Sequence, residues 1–157
     1  MKGNEIDKTI DLALKEDIGH RDITTDALIL ANDICEAVIM TREKAVIYGL
    51  DITKRVFKKL DRNMALRFLC KDGDTVFAHK KILSIKGKTT AILTAERVAL
   101  NFLSHLSGIA TLTASFVKRI RPYKTKIMDT RKPTPGLRTL EKGAVRCAGG
   151  VNHRFSL

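Results

Sequence analysis

Apolar residues first recur at helical spacing: Ile6, Ile10, Ala13 and Leu14 fall on one face, with Asn4 positioned to cap. Gly19 ends that unit, and HRDITTDAL (20–28) reads as polar and turn-like. ICEAVIMTR (34–42) and AVIYG (45–49) then read as strands, the second closed by Gly49. Asp51 is placed to cap a short helix reaching about Lys59, with Ile52, Val56 and Leu60 on one face. MALRFLC (64–70) is a further strand, and Lys71-Asp72-Gly73-Asp74 a tight turn. ILSIKGKTTAILT (82–94) suggests two short strands across Gly87-Lys88, a hairpin pattern. From Ile34 to Leu93 the short strands and turns predict a compact sheet folded partly back on itself.

Thr94 is placed to cap a long helix, AERVALNFLSHL, whose buried stripe would hold Val98, Phe102 and Leu106. Gly108 is expected to interrupt it before a second helix, IATLTASFVKRI, which Pro122 cannot continue. A domain boundary is expected near residues 110–122, giving a first domain over 1–115 and a second over 116–157. Beyond Pro122 the pattern changes to a short strand (KTKIMDT), a loop with two prolines (RKPTPG), a helix (LRTLEKGAVRCA) and a loop leading into another strand (AGGVNHRFSL). Strand, loop, helix, strand is how a barrel or doubly wound sheet begins. One such unit leaves a parallel sheet unpaired and uncovered, so a remainder is expected to be missing.

Composition narrows the class. With 157 residues, 44% of them hydrophobic and no Trp, the chain can build one aliphatic core and part of another. No run approaches about 18 uninterrupted apolar residues, and the N-terminus lacks the layout of a signal peptide. Cys35, Cys70 and Cys147 are widely spaced and odd in number, which favours reduced thiols in a cytoplasmic protein. His20, His79 and His105 show no ligand spacing, so no His/Cys metal site is expected.

The net charge of +12 is uneven: between Lys118 and Arg154 eleven cations face only Asp129 and Glu141. Such a surface attracts anions. Two clusters stand at the same ends of adjacent predicted strands, where ligands bind in such sheets. DTRKPTPGLR (129–138) offers the Arg131 fork beside the Lys132 point charge. GGVNHR (149–154) offers His153 and Arg154 after two glycines that permit a sharp turn or close approach. By itself each cluster is equally a solvated surface. Arg97, at the edge of its helix stripe, reads from spacing alone as a surface arginine paired with Glu96 or Asp129.

LALKEDIGHRDITT, REKAVIYGL, KDGDTV, ILTAERVALNFLSHLSGIATLT, DTRKPTPGLRTLEK and GGVNHR, in this order, resemble the quinolinate phosphoribosyltransferase (nicotinate-nucleotide pyrophosphorylase) family from about Leu12 to Leu157. A molybdenum-operon relative shares the outline. The resemblance implies an α+β fold: an N-terminal α/β sandwich of hammerhead type, followed by the first βα unit of an incomplete α/β barrel. It implies that quinolinate reacts with phosphoribosyl pyrophosphate to give nicotinate mononucleotide, pyrophosphate and carbon dioxide, in a cytoplasmic homodimer binding neither nucleic acid nor membrane. Magnesium would accompany the pyrophosphate, with ligands outside these residues. Thr130, Arg131, Lys132, His153 and Arg154 would line the quinolinate pocket, with Lys132 also catalytic. Arg97 would reach into the partner's pocket. The chain departs from the family pattern at Pro133, Ala148 and Ser156, and carries Gly143 inside a predicted helix, at about 1 kcal/mol against Ala. Its length leaves out the rest of the barrel, so the chain is expected to be inactive alone. The alternatives are a non-catalytic dimerisation partner of a full-length copy and a small basic nucleic-acid binder, although stacking aromatics are scarce.

Overall fold

The computed structural model describes residues 3–20 and 22–156. Arg21 in the HRDITTDAL stretch, and Leu157 at the end of the family resemblance, lie outside them. The elements run α1 (Gly3–Ile18), α2 (Ile23–Leu28), β1 (Ile34–Met40), β2 (Ala45–Val46), α3 (Leu50–Leu60), β3 (Ala65–Phe68), β4 (Thr75–Val76), β5 (Lys81–Lys88), α4 (Thr89–Ile120) and α5 (Arg138–Cys147). β1, β5 and β3 form an antiparallel sheet with β5 central, and β2 pairs with β4 in a small second ribbon. This is the expected α+β arrangement, and the sheets are open.

The core lies where α1, α3 and α4 meet the sheet. Ile10 and Leu14 from α1, Val56 and Phe57 from α3, Leu83 and Ile85 from β5, and Ala95, Ala99 and Leu106 from α4 form one buried cluster. β1 alternates as a half-buried strand should. Cys35, Ala37 and Ile39 pack against the core while Ile34, Val38 and Met40 face outward. Alanines along α4 let the neighbouring helices approach, and α3 and α5 both pack on it.

Several sequence expectations are corrected. Residues 23–28 are helical because the Asp22 carboxylate caps them, accepting from Thr25 N at 3.1 Å. Asn4 lies inside α1, which begins at Gly3. AVIYG contributes only the two-residue β2, and KTKIMDT only a single parallel bridge, Met128 to Val151. The 82–94 hairpin does not exist: β5 runs unbroken to Lys88, with Gly87 opposite Cys35, and the chain passes directly into α4. Gly87 is needed for close packing, since a Cβ there would stand 2.8 Å from Met64 Cγ. α4 also runs through Thr94 and Gly108 without a break. Thr94 instead donates from Oγ1 to Asp22 at 3.1 Å, tying α2 to α4. α4 is long and apolar enough to cross a membrane, but here it serves as the spine on which the other helices pack.

α3 is capped from a distance. Gly49 precedes it at φ 113°, and the Asp72 carboxylate accepts from Gly49 N at 3.0 Å and Leu50 N at 3.1 Å. Asp51, expected as the cap, sits in the first turn and pairs with Arg55 at 2.8 Å. Burial pushes the Asp72 carboxyl up, and the two backbone hydrogen bonds only partly offset that. Replacing Asp72 with Ala is expected to cost about 1–2 kcal/mol, since both helix-start donors lose their acceptor. A urea midpoint equal to the parent's would count against this cap.

Candidate functional site

The site region is built around a buried ion pair. Ile127 O accepts from Val151 N at 2.8 Å, and Val151 O from Asp129 N at 3.1 Å, so the segment after α4 and the segment after α5 run side by side in parallel. The turn into the second segment uses both glycines. Gly149 adopts φ 88°, and a Cβ on Gly150 would stand 2.7 Å from Val145 Cγ1 and 3.1 Å from Thr113 Cγ2. Where the two segments meet, the Lys142 and Asp129 side chains are 1% and 7% exposed and 2.7 Å apart. Lys142 Nζ also donates to His153 O at 2.9 Å and stands 5.1 Å from the centre of the Phe155 ring. Asn152 Nδ2 donates to Asp129 Oδ2 at 2.7 Å and to Lys142 O at 2.8 Å, and His153 N donates to Asp129 Oδ1 at 2.6 Å.

Such a pair is tolerable only because its partners are supplied. Asp129 accepts three hydrogen bonds, and both amide protons of Asn152 are used. Burial pushes the Asp129 carboxyl up, but the bonds from Lys142, His153 N and Asn152 outweigh it and hold it below the ordinary range. The sequence placed Asp129 only at the head of a motif and passed over Lys142 and Asn152. The available signal was a Lys directly after Leu140–Glu141 inside an otherwise amphipathic helix, which periodicity alone assigns to a snorkelling surface residue.

The expected site residues fall out as follows. Thr130 and Lys132 are exposed, Lys132 N donates to Thr130 Oγ1 at 3.0 Å, and both line a cavity of about 370 Å³ with Glu141, Lys142 and the α4 residues Leu112 and Phe116. Arg131 and Arg154 are exposed, and His153 is half-buried; none of the three is in the lining of that cavity. His153 Nδ1 is buried and has no hydrogen-bond partner among the described residues. Arg97 is elsewhere. It pairs with Asp17 of α1 at 3.0 Å, not with Glu96 or Asp129, and lines a second cavity of about 550 Å³ with His105 and Leu137. Along α4 it lies roughly 24 Å from Thr113, at 1.5 Å per residue, so Arg97 and the Thr130 loop do not meet within one copy.

Between the two cavities stands a pair that the sequence did not single out. His105 Nε2 lies 2.8 Å from Glu141 Oε1, and Glu141 Oε2 accepts from Thr134 N at 3.0 Å. Burial pushes the Glu141 carboxyl up, but its bonds with Thr134 and His105 hold it below the usual value. Among the described residues no three His, Cys, Asp or Glu side chains are grouped to hold a metal. The three cysteines are free thiols.

Comparison with known proteins agrees with this architecture. Residues 22–107 match the model of the quinolinate phosphoribosyl transferase N-terminal domain, and residues 109–157 that of its C-terminal domain. The chain is 42% identical over 153 residues to the probable nicotinate-nucleotide pyrophosphorylase (carboxylating) of Bacillus subtilis, covering 98% of this chain and 53% of that protein. It is 43% identical over 152 residues to the Synechocystis counterpart, covering 97% of this chain and 51% of the relative. The crystal structure of NadC from Streptococcus pyogenes superposes with a TM-score of 0.95 at 41% identity, over all of this chain and 57% of that one. The chain thus spans about half the length of the curated relatives it matches. With both family models matched in order along one fold, the chain belongs to the quinolinate phosphoribosyl transferase family.

Proposed function

We propose that these residues supply the acid-binding part of a cytoplasmic quinolinate phosphoribosyltransferase, in which the ring nitrogen of quinolinate displaces pyrophosphate from phosphoribosyl pyrophosphate and carbon dioxide is lost to give nicotinate mononucleotide. The observation that carries this reading is the Asp129–Lys142–Asn152–His153 network, which fixes the ends of two neighbouring segments. Thr130, Arg131 and Lys132 leave that fixed point on one segment, and His153 and Arg154 on the other. A pyridine diacid needs such cations for its two carboxylates. Electron density released on decarboxylation would be stabilised by the same cations, with Lys132 foremost, more than the ground state is. Arg97, exposed and remote from Thr130 in its own copy, suits a role in a partner's pocket within a homodimer. The division into residues 1–115 and 116–157 belongs to the same reading.

Magnesium would arrive with phosphoribosyl pyrophosphate. Among the described residues no three His, Cys, Asp or Glu side chains are grouped to hold it. These residues span about half of the relatives, and binding of the diacid is the part of the activity they are proposed to carry.

Titration of the chain with quinolinate should give saturable binding that nicotinate, with one carboxylate, matches poorly. Arg131→Ala should weaken quinolinate by about tenfold or more, the lower end of what a hydrogen bond to a charged group contributes. Equal affinity for quinolinate in parent and variant would remove Arg131 from the pocket. Turnover by the 157-residue chain would overturn the expectation of binding alone.

A further inference from the structure

The loop that carries Thr130, Arg131 and Lys132 has little backbone of its own to hold it. Pro133 and Pro135 have no N–H, so Thr134 supplies the only amide donor of that tripeptide. That donor goes to Glu141 Oε2 at 3.0 Å, while Thr134 O accepts from Leu137 N at 3.0 Å. Leu137 O in turn accepts from Glu141 N at 3.0 Å, closing a small ring between the loop and the first turn of α5. The Glu141 side chain is 12% exposed, and its other oxygen faces His105 of α4 at 2.8 Å. One carboxylate therefore joins the loop, the helix that follows it and the long helix beneath. Glu141 lines the cavity of Thr130 and Lys132, and its partner His105 lines the cavity of Arg97.

We propose that Glu141, anchored by His105, is a positioning residue for diacid binding: it fixes the Pro133-Thr134-Pro135 end of the loop and thereby the directions in which Arg131 and Lys132 leave it. The proposal rests on the functional reading above. Glu141 need not touch the substrate. Its negative charge beside an anion pocket would otherwise be a disadvantage, and here the carboxylate is turned toward Thr134 N and His105.

The test combines two readouts on the 157-residue chain: the Thr134 amide resonance in a nitrogen-15 correlation spectrum without ligand, and quinolinate affinity by titration. In Glu141→Ala the Thr134 amide proton is expected to move upfield as it loses its carboxylate acceptor, and quinolinate affinity to fall about fivefold or more, the usual lower bound for coupling between sites. Glu141→Gln keeps an acceptor oxygen and should recover most of both. His105→Ala removes the anchor but leaves the Thr134 bond available, so its effect on affinity should be smaller than that of Glu141→Ala. An unmoved Thr134 amide in a folded Glu141→Ala chain would overturn the clip. A moved amide with unchanged affinity would overturn its positioning role. Should Glu141→Ala fail to fold, the similarly sized Glu141→Met, which also lacks an acceptor, carries the same two readouts: a shifted Thr134 amide with weakened quinolinate binding is expected, and a shifted amide with the parent's affinity overturns the proposal. Absence of quinolinate binding by the parent chain would overturn the functional reading, and the diacid half of this proposal with it, whereas the Thr134 resonance reports on the clip independently.

Discussion

Lys142→Met is expected to destabilise the fold by about 3–5 kcal/mol, the usual consequence of removing one partner of a buried ion pair. The methionine fills a similar volume, so little of this is lost packing. The cost comes from Asp129, left 7% exposed beside an apolar side chain. His153 O also loses its donor. Against a total stability of about 5–15 kcal/mol for an ordinary domain, the loss is large. It should carry a pH signature. Asp129 is held below the ordinary carboxylate range in the folded chain, so the pair contributes stability above the unfolded value of about 3.9 and loses it as pH falls through the folded value. Without Lys142 the carboxyl rises, so acid neutralises Asp129 within the folded chain and the deficit against the parent should narrow as pH falls. Urea midpoints measured between pH 4 and 8 test both statements. A variant with the parent's midpoint and the parent's acid limb would show that the pair contributes little.

Gly143→Ala is expected to destabilise by about 2–3 kcal/mol, toward the upper end of overpacking costs. Helix propensity alone gives the opposite sign, a gain of about 1 kcal/mol. Packing decides the matter, because a Cβ at Gly143 would fall on the Tyr48 hydroxyl, with Tyr48 Cζ 3.0 Å away. Tyr48 is wedged between α4 and α5, and burial pushes its phenol up. Retreat would break the packing around Val46, Ala110 and Ala144. Tyr48→Phe removes the overlapping oxygen, so Gly143→Ala should cost much less in that background, with a coupling of about 1 kcal/mol or more between neighbours in contact. Strict additivity in the double-mutant cycle would contradict the clash.

These two positions show what a linear reading can and cannot reach. Helices with one apolar stripe were legible, as in α1 and α3, because 3.6-residue periodicity records burial directly. β1 and β3 were legible for the same reason at period two, whereas the two-residue β4 was not, and the second strand of the 82–94 hairpin is the start of α4. Glycine was read in the wrong sense at Gly87 and Gly108. The sequence records that the residue is permissive, but whether it turns, continues a strand against Met64, or sits harmlessly in an exposed helix depends on what lies across from it. Caps failed where the carboxylate came from elsewhere: Asp72 serves α3 from 22 residues away. Of the site, the cationic motifs were visible as sequence, and the scaffold beneath them was not. Lys142, Asn152, Glu141 and His105 matter through partners 7 to 36 residues distant, and single-chain spacing carries no record of those pairings.

The unbroken course of α4 has a mechanical consequence. The two family segments adjoin at residue 108, yet that junction is one turn in a 32-residue rod. Domains usually pivot about exposed linkers, and here there is none to pivot about. A displacement imposed near Arg97 would be transmitted along the helix axis to the wall at Leu112 and Phe116 as translation or tilt of a stiff lever. A protease probing the junction should find its peptide bonds shielded within the helix.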